Sequence, residues 1–462
     1  MATPLTLGYV ARHNSTNYNY AMKPFPLKRS SAALALSGQD FALPAYYGLP
    51  TEVKFCKLCV LSNQRPASAV EYHHGQSTEK TTVPIGADGI CDACKIHKLK
   101  HGKILWAERE AELRELCNKY RRTDGRHDCV VPGSGGKDSI YAAHLLKHKY
   151  GMNPLTVTWA PYIYTPWGWN NFQAWIHAGF DNYLFTPNGL VHRLLARIAL
   201  EVLFHPFQSF MIGQKLFAPV LAAKLGIPLV FWGEPEAEDG NPIAEFGSAQ
   251  QDWKYFTSAD HDKILLSGIS VGDLKEYFAL KEKDLEPYLP VNPSLLLDAG
   301  VTVHYMGYYE LWHPQSNYYY ATDNTNFQAA PERTAGTYGK YSGIDDKLDD
   351  FHYYTFFIKF GIGRATYDAA QECRNQDLAR GEAVDLVQRY DGEFPERFAK
   401  ECFAYMSVSS REFPVASRMF EQPVMDREYF DMLADHFRSP HIWKQTREGW
   451  KLRHAAWHEG HR

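Results

Sequence analysis

The stretch Val130–Ser139, "VVPGSGGKDS", contains the strongest structural signal in this chain. It reads as an apolar strand, a glycine-rich turn and the start of a helix. Such a turn predicts a phosphate site, because its bare backbone N–H groups and the helix N-terminus both face the anion. The commoner phosphate loop begins with an earlier glycine and ends in Gly-Lys-Ser/Thr. Here Val131 takes the first glycine position and Asp138 follows Lys137, so a different phosphate chemistry is expected.

Strands and helices alternate after this stretch. Apolar strands are predicted at residues 127–133, 153–160, 180–188, 226–234 and 300–309, with helices between them. Alternation of this kind is typical of an α/β fold with a parallel sheet covered on both faces. From about residue 350 the pattern becomes helical. We predict an irregular arm (1–50), a cysteine module with a helix (51–122), a phosphate-loop domain (123–310) and a helical, substrate-binding C-terminal region (311–462).

The composition is that of a globular protein with two or three domains. Apolar residues make up 45% and charged residues 22% of the 462 residues. The formal net charge of −4 provides no overall attraction to nucleic acid or to acidic lipid. No apolar run reaches the length of about eighteen residues that a membrane helix needs, and the N-terminus lacks a signal-peptide core. We therefore expect a cytoplasmic protein with no nucleic-acid or membrane partner.

Four of the eight cysteines form two Cys-x-x-Cys knuckles, Cys56 with Cys59 and Cys91 with Cys94. In a cytoplasmic chain of this size, paired knuckles indicate a metal far more often than disulfides. Four thiolates suit tetrahedral zinc and leave no open coordination position, so the expected role of the zinc is structural. Unconnected surface thiols and a redox or iron–sulfur site remain as alternatives.

The glycine loop supplies most of the candidate site residues. Bare backbone at the glycines lets a phosphate approach closely, and a lysine supplies positive charge. Asp138 lies in the first helical turn, where it favours the helix dipole and can reach Mg²⁺ or a neighbouring amide. The residues expected to bind the nucleotide here are Ser134, Gly135, Gly136, Lys137, Asp138 and Ser139.

Two further stretches carry candidate residues. Acidic side chains follow the fourth strand, and Glu234, which is nearest the strand end, is expected to hold magnesium or contact an incoming amine. Glu236 and Asp239 are alternative candidates for the same role, and it is also open whether this stretch is only a solvated loop. Gly361 and Gly363 predict a tight turn that begins a helix. Lys359 and Arg364 lie beside this turn and are expected to bind a phosphate or a nucleotide-sugar diphosphate. The alternative is that both are solvated surface charges.

An aromatic run, Tyr318–Tyr320, is a candidate platform for a pyranose ring. In a strand, the alternation of side chains would bury one of the three rings.

The segment "SGGKDS" is similar to the PP-loop of ATP pyrophosphatases, which binds the pyrophosphate part of ATP while reaction occurs at the α-phosphate. A wider series of motifs resembles the N-acetyl sugar amidotransferases of bacterial surface-polysaccharide and flagellin-glycan biosynthesis. The motifs are "CKLCVLSNQRP", "GICDACK", "VPGSGGKDS", "TVTWAP", "FTPNG", "HPFQ", "FWGEPEAE", "NYYYATDNTNF", "ERTAGTYGKYSGIDDK" and "IKFGIGRATYDAA", in this order over about residues 50–400.

The resemblance implies an adenine nucleotide α-hydrolase-like domain and an ATP-dependent amidotransferase with Mg²⁺ and Zn²⁺. The enzyme would convert the N-acetyl group of a sugar, nucleotide-linked or a nonulosonic acid, into an acetamidino group through an imidoyl adenylate, releasing AMP and pyrophosphate. Lys137, Asp138 and Glu234 would be the catalytic residues, and the pathway would be that of lipopolysaccharide O-antigen. Pro235 stands where the family pattern leads us to expect Asn, which puts the role of the fourth-strand residues in question.

The resemblance also implies that ammonia comes from a separate glutaminase subunit. The sequence agrees, since position 2 is Ala and no Gly-x-Cys-x-Gly nucleophile surrounds the isolated cysteines. Two alternatives belong to other classes. One is a PP-loop tRNA-modifying enzyme, a thiolation enzyme or lysidine-type ligase, which would need a basic RNA-binding face. The other is a zinc-stabilised, nucleotide-binding assembly subunit without turnover.

Overall fold

The computed structural model describes residues 35–36, 38–233, 241 and 247–458. Its strands are β1 (Cys129–Pro132), β2 (Pro154–Trp159), β3 (Asn182–Phe185), β4 (Leu229–Trp232), β5 (Leu265–Leu266), β6 (Ile269–Ser270), β7 (Thr302–Tyr305), β8 (Trp443–Thr446) and β9 (Gly449–Leu452). Five of them form one sheet in the order β3-β2-β1-β4-β7, and every neighbouring pair is parallel. The predicted mixed α/β fold with a parallel sheet is confirmed, and each of the five strands lies within its predicted range. The end of the fifth range, Met306–Tyr309, is helical and not part of the strand.

The described helices follow the predicted alternation in the first two thirds of the chain. In chain order they are α1 (Asp92–Gly102), α2 (Trp106–Tyr120), α3 (Lys137–His148), α4 (Pro166–His177), α5 (Gly189–Leu203), α6 (Gln208–Leu225), α7 (Val271–Phe278), α8 (Glu282–Leu285), α9 (Pro293–Asp298), α10 (Met306–Tyr309), α11 (Pro314–Asn324), α12 (Asp349–Phe360), α13 (Arg364–Asn375), α14 (Arg380–Tyr390), α15 (Ala399–Met406) and α16 (Arg427–Phe437). Two short hairpins, β5-β6 and β8-β9, complete the fold.

Both faces of the sheet are covered around its central strands, which explains why β1 and β4 are apolar without alternation. Val130 and Val230 pack into the core formed with α5 and α6. Their chain neighbours Val131 and Phe231 point to the opposite face, into a second core with α3 and α4. Successive side chains of a strand face opposite sides, so these neighbours supply one residue to each core.

The C-terminal helices and the cysteine module share a core. Ala369 in α13 and Val384 in α14 are buried in the same cluster as Cys56 and Cys91. The C-terminal hairpin packs nearby, where the indole N–H of Trp443 donates to the carbonyl of Ile358 over 2.7 Å. The proposed boundaries at residues 50, 122 and 310 stay predictions. Among the described residues, no helix is both long and apolar enough to cross a membrane.

Candidate functional site

The four knuckle cysteines converge on one buried point. The Sγ atoms of Cys56 and Cys94 are 3.8 Å apart, and those of Cys59 and Cys91 are also 3.8 Å apart. A disulfide requires about 2.0 Å, whereas two ligands of a tetrahedral zinc with bonds of about 2.3 Å lie roughly 3.8 Å apart. All four thiols are free and buried. The cluster therefore has the composition and spacing to hold one metal ion, and Cys56, Cys59, Cys91 and Cys94 would be its ligands.

Backbone groups around the cysteines support this arrangement. The N–H groups of Leu58 and Cys91 each donate to the Cys56 sulfur over 3.4 Å. Hydrogen bonds from the neighbouring thiols, that of Cys59 first, lower the pKa of Cys56, which favours the thiolate that binds metal. From the C-terminal region, Arg380 donates to the carbonyls of Cys56 and Cys59 over 3.2 Å.

The glycine loop lies between β1 and α3, at the point where the strand order reverses. β2 lies on one side of β1 and β4 on the other, and ligands of open α/β sheets bind at this place, beyond the carboxyl ends of the strands. Gly136 is the N-cap residue of α3, and no described side chain caps this helix. The first N–H groups of the helix are thus available to an anion.

The loop backbone is packed so closely that two of its positions require glycine. Gly135 has a φ of +86°, and a Cβ there would lie 2.7 Å from the Phe172 Cα in α4. At Gly133, a Cβ would overlap the side chain of Ser139, whose hydroxyl donates to the Gly136 carbonyl over 2.9 Å. The loop therefore presents bare backbone on a fixed frame.

Lys137 and Asp138 are held together at the start of α3. The Lys137 side chain is 5% exposed and forms an ion pair with the Asp138 carboxylate. Asn317 in α11 donates to the other Asp138 oxygen over 3.0 Å. The Lys137 ammonium also lies 5.8 Å from the Tyr341 ring. An ammonium and a carboxylate thus stand side by side next to the glycine backbone.

Two carboxylates that the sequence did not assign to the glycine loop lie near it. Asp345 shares a hydrogen bond with Ser134, and Asp368 interacts electrostatically with Lys137. Burial raises the pKa of both carboxyl groups. A nearby cation would favour their ionised forms. The signal in the sequence was the quoted motif "ERTAGTYGKYSGIDDK", in which Asp345 and Asp346 follow three glycines.

Arg364 is placed differently from the expectation of a phosphate ligand or a solvated charge. The predicted turn exists, because Gly361 ends α12 with a φ of +66° and Gly363 precedes α13. The Arg364 side chain, however, is 2% exposed and pairs with Asp350 over 3.2 Å. It also donates to the backbone carbonyls of Ser342 and Gly343. Its charge is already compensated by protein groups.

Lys359 lies in a different environment and lines a cavity of about 280 Å³. Its ammonium donates to the Leu203 carbonyl over 2.8 Å, and burial lowers its pKa well below the usual range. The cavity is bounded by residues 65–80, the start of α6, and α12. Arg364 does not line it, so the structure separates the two residues that the sequence grouped together.

The remaining predicted residues divide into two cases. Glu234, Glu236 and Asp239 lie outside the described residues. The run Tyr318–Tyr320 lies in α11, so strand alternation does not apply to it; Pro314 and the His313 cap begin the helix. Tyr318 stacks on Tyr341 at 4.4 Å and Tyr320 bonds His144, so Tyr319, which is 55% exposed, is the open ring of the three.

Comparison with known proteins identifies part of the chain. Residues 335–456 match the model of the C-terminal domain of the WbpG-like LPS biosynthesis proteins. An uncharacterized protein of Methanocaldococcus jannaschii is 35% identical over 82 residues, which are 17% of this chain and 29% of that relative. The chain thus matches less than a third of the relative's length. This part of the chain is therefore similar to a domain of lipopolysaccharide biosynthesis proteins.

Proposed function

We propose that this protein is an ATP-dependent amidotransferase that converts the N-acetyl group of a sugar into an acetamidino group. One observation carries the proposal. The uncapped, glycine-lined start of α3 lies at the switch point of the parallel sheet, with Lys137 and Asp138 beside it. This arrangement suits a pyrophosphate group. The match of residues 335–456 to a lipopolysaccharide biosynthesis domain supports a sugar as the acceptor.

The chemistry explains why a nucleotide is needed. An amide carbonyl is a poor electrophile, so ammonia cannot replace its oxygen directly. Attack of the amide oxygen on the α-phosphate of ATP gives an imidoyl adenylate and releases pyrophosphate. Ammonia then adds to the imidoyl carbon, and AMP leaves with the original amide oxygen. Water must be kept out, because its addition would only regenerate the amide.

The residues around the loop have matching tasks in this proposal. The loop N–H groups and the Lys137 ammonium would stabilise the charge that develops on the leaving pyrophosphate. Asp138, beside Lys137, and Asp345, which shares a hydrogen bond with Ser134, are the carboxylates at the loop that would hold Mg²⁺. Magnesium, when bound, would neutralise phosphate charge. Zinc, held by the four cysteines, would stabilise the cysteine module without touching the substrate.

The acidic part of the acceptor, a diphosphate or a carboxylate, would enter the cavity that Lys359 lines. Arg65 and Lys80 line the same cavity, so positive side chains outnumber the single carboxylate of Glu71 there. Such an excess attracts anions. This keeps the predicted role of Lys359 and assigns Arg364 to structure.

The test measures AMP formation with N-acetylated nucleotide sugars and nonulosonic acids, with ammonium as the nitrogen source. Lys137→Ala should lower the rate at least about 100-fold, the cost of losing one preorganised charge donor, without changing the far-UV spectrum. Lys147→Ala, on the exposed far end of the same helix, is the control and should keep the wild-type rate. Equal rates for the two variants would refute the assignment of the loop.

Two further arms address the nitrogen source and the acceptor class. Glutamine should support turnover only when a glutaminase is added, since ammonia is expected from a separate subunit. Glutamine hydrolysis by the isolated chain would contradict this. AMP formation with tRNA and not with sugars would identify the tRNA-modifying alternative instead.

A further inference from the structure

The cavity next to Lys359 contains a second group of metal-binding side chains, distinct from the cysteine cluster. Glu71, His74 and His205 each offer one ligand atom, and these atoms all lie within 4.8 Å of one another. The Glu71 carboxylate oxygen is 3.3 Å from the His74 Nδ1 and 3.6 Å from the His205 Nε2. Neighbouring ligands of a tetrahedral zinc site lie roughly 3.3 Å apart, given bonds of about 2.0–2.1 Å. Two of the three separations are therefore close to those of a metal site.

Hydrogen bonds link the two segments that carry the three ligands. The Glu71 carbonyl accepts a hydrogen bond from the Gln208 side chain over 2.7 Å, and the His74 N–H donates to the same carbonyl over 3.0 Å. Gln208 begins α6, and its N–H donates to the carbonyl of His205 over 3.2 Å. One glutamine thus ties the segment that carries Glu71 and His74 to the segment that carries His205.

Without a metal, the hydrogen bonds at His74 conflict. Its Nδ1 lies 3.3 Å from the Glu71 carboxylate, which needs a donor, and 3.2 Å from the Lys80 ammonium, which needs an acceptor. A ring nitrogen carries either a hydrogen or a lone pair, so it can satisfy only one of them. A metal ion between the carboxylate and the two imidazoles would use the Nδ1 lone pair and the carboxylate together. Lys80 is partly exposed and can turn to solvent.

We propose that Glu71, His74 and His205 form a binding site for a divalent transition metal, with zinc the ion that this donor set favours. Three protein ligands leave one coordination position open, and the ligands line a cavity of about 280 Å³, so the open position is accessible to a small molecule. Sites with three protein ligands and an open position are typical of zinc that binds substrate or water. The cysteine cluster, with four ligands, is of the closed kind.

The charged groups around this site determine its strength. Arg65, Lys80, Lys215 and Lys359 line the cavity, and the His352 ring stacks on His205 at 4.9 Å. Positive side chains oppose a dication and favour an anion as the fourth ligand. We therefore expect a mild chelator to remove this metal before the one bound by the cysteines, and an anion such as phosphate to slow its removal.

The experiment measures metal content and the Co²⁺ absorption spectrum of the purified full-length chain. Wild type should bind about two equivalents, one in a thiolate site and one in a nitrogen/oxygen site. Glu71→Gln and His205→Gln should each lose the second equivalent and keep the thiolate bands. His352→Gln, in the same cavity but outside the ligand set, is the matched control and should keep both.

A further variant separates metal binding from general damage to the cavity. Lys80→Met removes the competing ammonium, so it should bind the second Co²⁺ several-fold more tightly than wild type does. Uptake of only one equivalent by wild type in excess Co²⁺ would overturn the proposal. Undiminished uptake of two equivalents by Glu71→Gln would overturn it as well. Neither result depends on the amidotransferase reaction, since no arm measures turnover.

Discussion

Replacing Arg364 with alanine should destabilise the protein strongly, whatever its effect on substrate binding. The guanidinium is 2% exposed and lies 3.2 Å from the Asp350 carboxylate and 3.8 Å from that of Asp349. Its second nitrogen donates to the carbonyls of Ser342 and Gly343. The substitution leaves two buried carboxylates without their cation. Breaking one buried pair by removing a partner costs about 3–5 kcal/mol, and we expect a loss in that range.

The carboxylates of Asp349 and Asp350, left without Arg364, make this loss of stability depend on pH. Burial already raises the pKa of Asp350 to about 6, with Arg364 opposing the shift. In the variant the opposing charge is gone, so the carboxyl groups should take up protons and become neutral at mildly acidic pH. The destabilisation should therefore be smaller near pH 5 than near pH 8.

Urea unfolding followed by circular dichroism at both pH values measures the effect. The control is Arg114→Ala, which removes an exposed i,i+4 pair with Glu110 and should change stability by less than about 1 kcal/mol. Arg364→Lys keeps the positive charge but loses the planar set of guanidinium N–H donors, so its free energy of unfolding should lie between those of wild type and the alanine variant. An alanine variant as stable as the control, with a raised acceptor KM, would show that Arg364 serves the substrate and that this reasoning is wrong.

Three other outcomes are expected. Gly135→Ala should weaken ATP binding at least about tenfold in a calorimetric titration, because the residue has a φ of +86° and the new Cβ would lie 2.7 Å from the Phe172 backbone. The control Gly189→Ala, whose new Cβ would have no neighbour within 4 Å, should leave ATP binding unchanged. Cys91→Ser should release zinc and unfold the cysteine module; a stable, metal-free variant would contradict this. Burial raises the pKa of Glu372 from 4.5 to about 7, so this carboxyl group stabilises fully below pH 4.5 and loses that contribution as pH rises to about 7. The thermal midpoint of Glu372→Gln, measured relative to wild type, should therefore rise between these pH values, and a constant difference would exclude a role for this carboxyl group.

The fold was readable from the sequence because local signals and global architecture agree. The central strands β1 and β4 are apolar without alternation, which is expected for a sheet covered on both sides. The helices α5 and α6 lie between the third and fourth strands of the sheet, where helices were predicted, with Asn188 capping the first and Gly226 ending the second in the left-handed conformation. The cysteine cluster was equally predictable, since ligand type and spacing are properties of the sequence itself.

The partners of the charged side chains were not readable in the same way. The glycine turn around Gly361 was predicted correctly, yet the sequence does not reveal that Arg364 would turn toward Asp350 while Lys359 would face a cavity. Both depend on contacts between distant segments. The tyrosine run shows the same limit, because a string of aromatic residues favours a strand by propensity, while the proline at position 314 and packing against α3 make it a helix.

The distribution of the site residues bears on what the domain match means. The glycine loop, Lys137 and Asp138 lie outside residues 335–456, whereas Asp345 and Asp368 lie within them. Asp345 shares a hydrogen bond with Ser134 of the loop, and Asp368 interacts electrostatically with Lys137. Arg380, also within the matched region, donates to the carbonyls of Cys56 and Cys59. The matched region thus contributes an acidic group beside the glycine loop and hydrogen bonds to the cysteine cluster, so the proposed chemistry requires the two parts of the chain to remain docked.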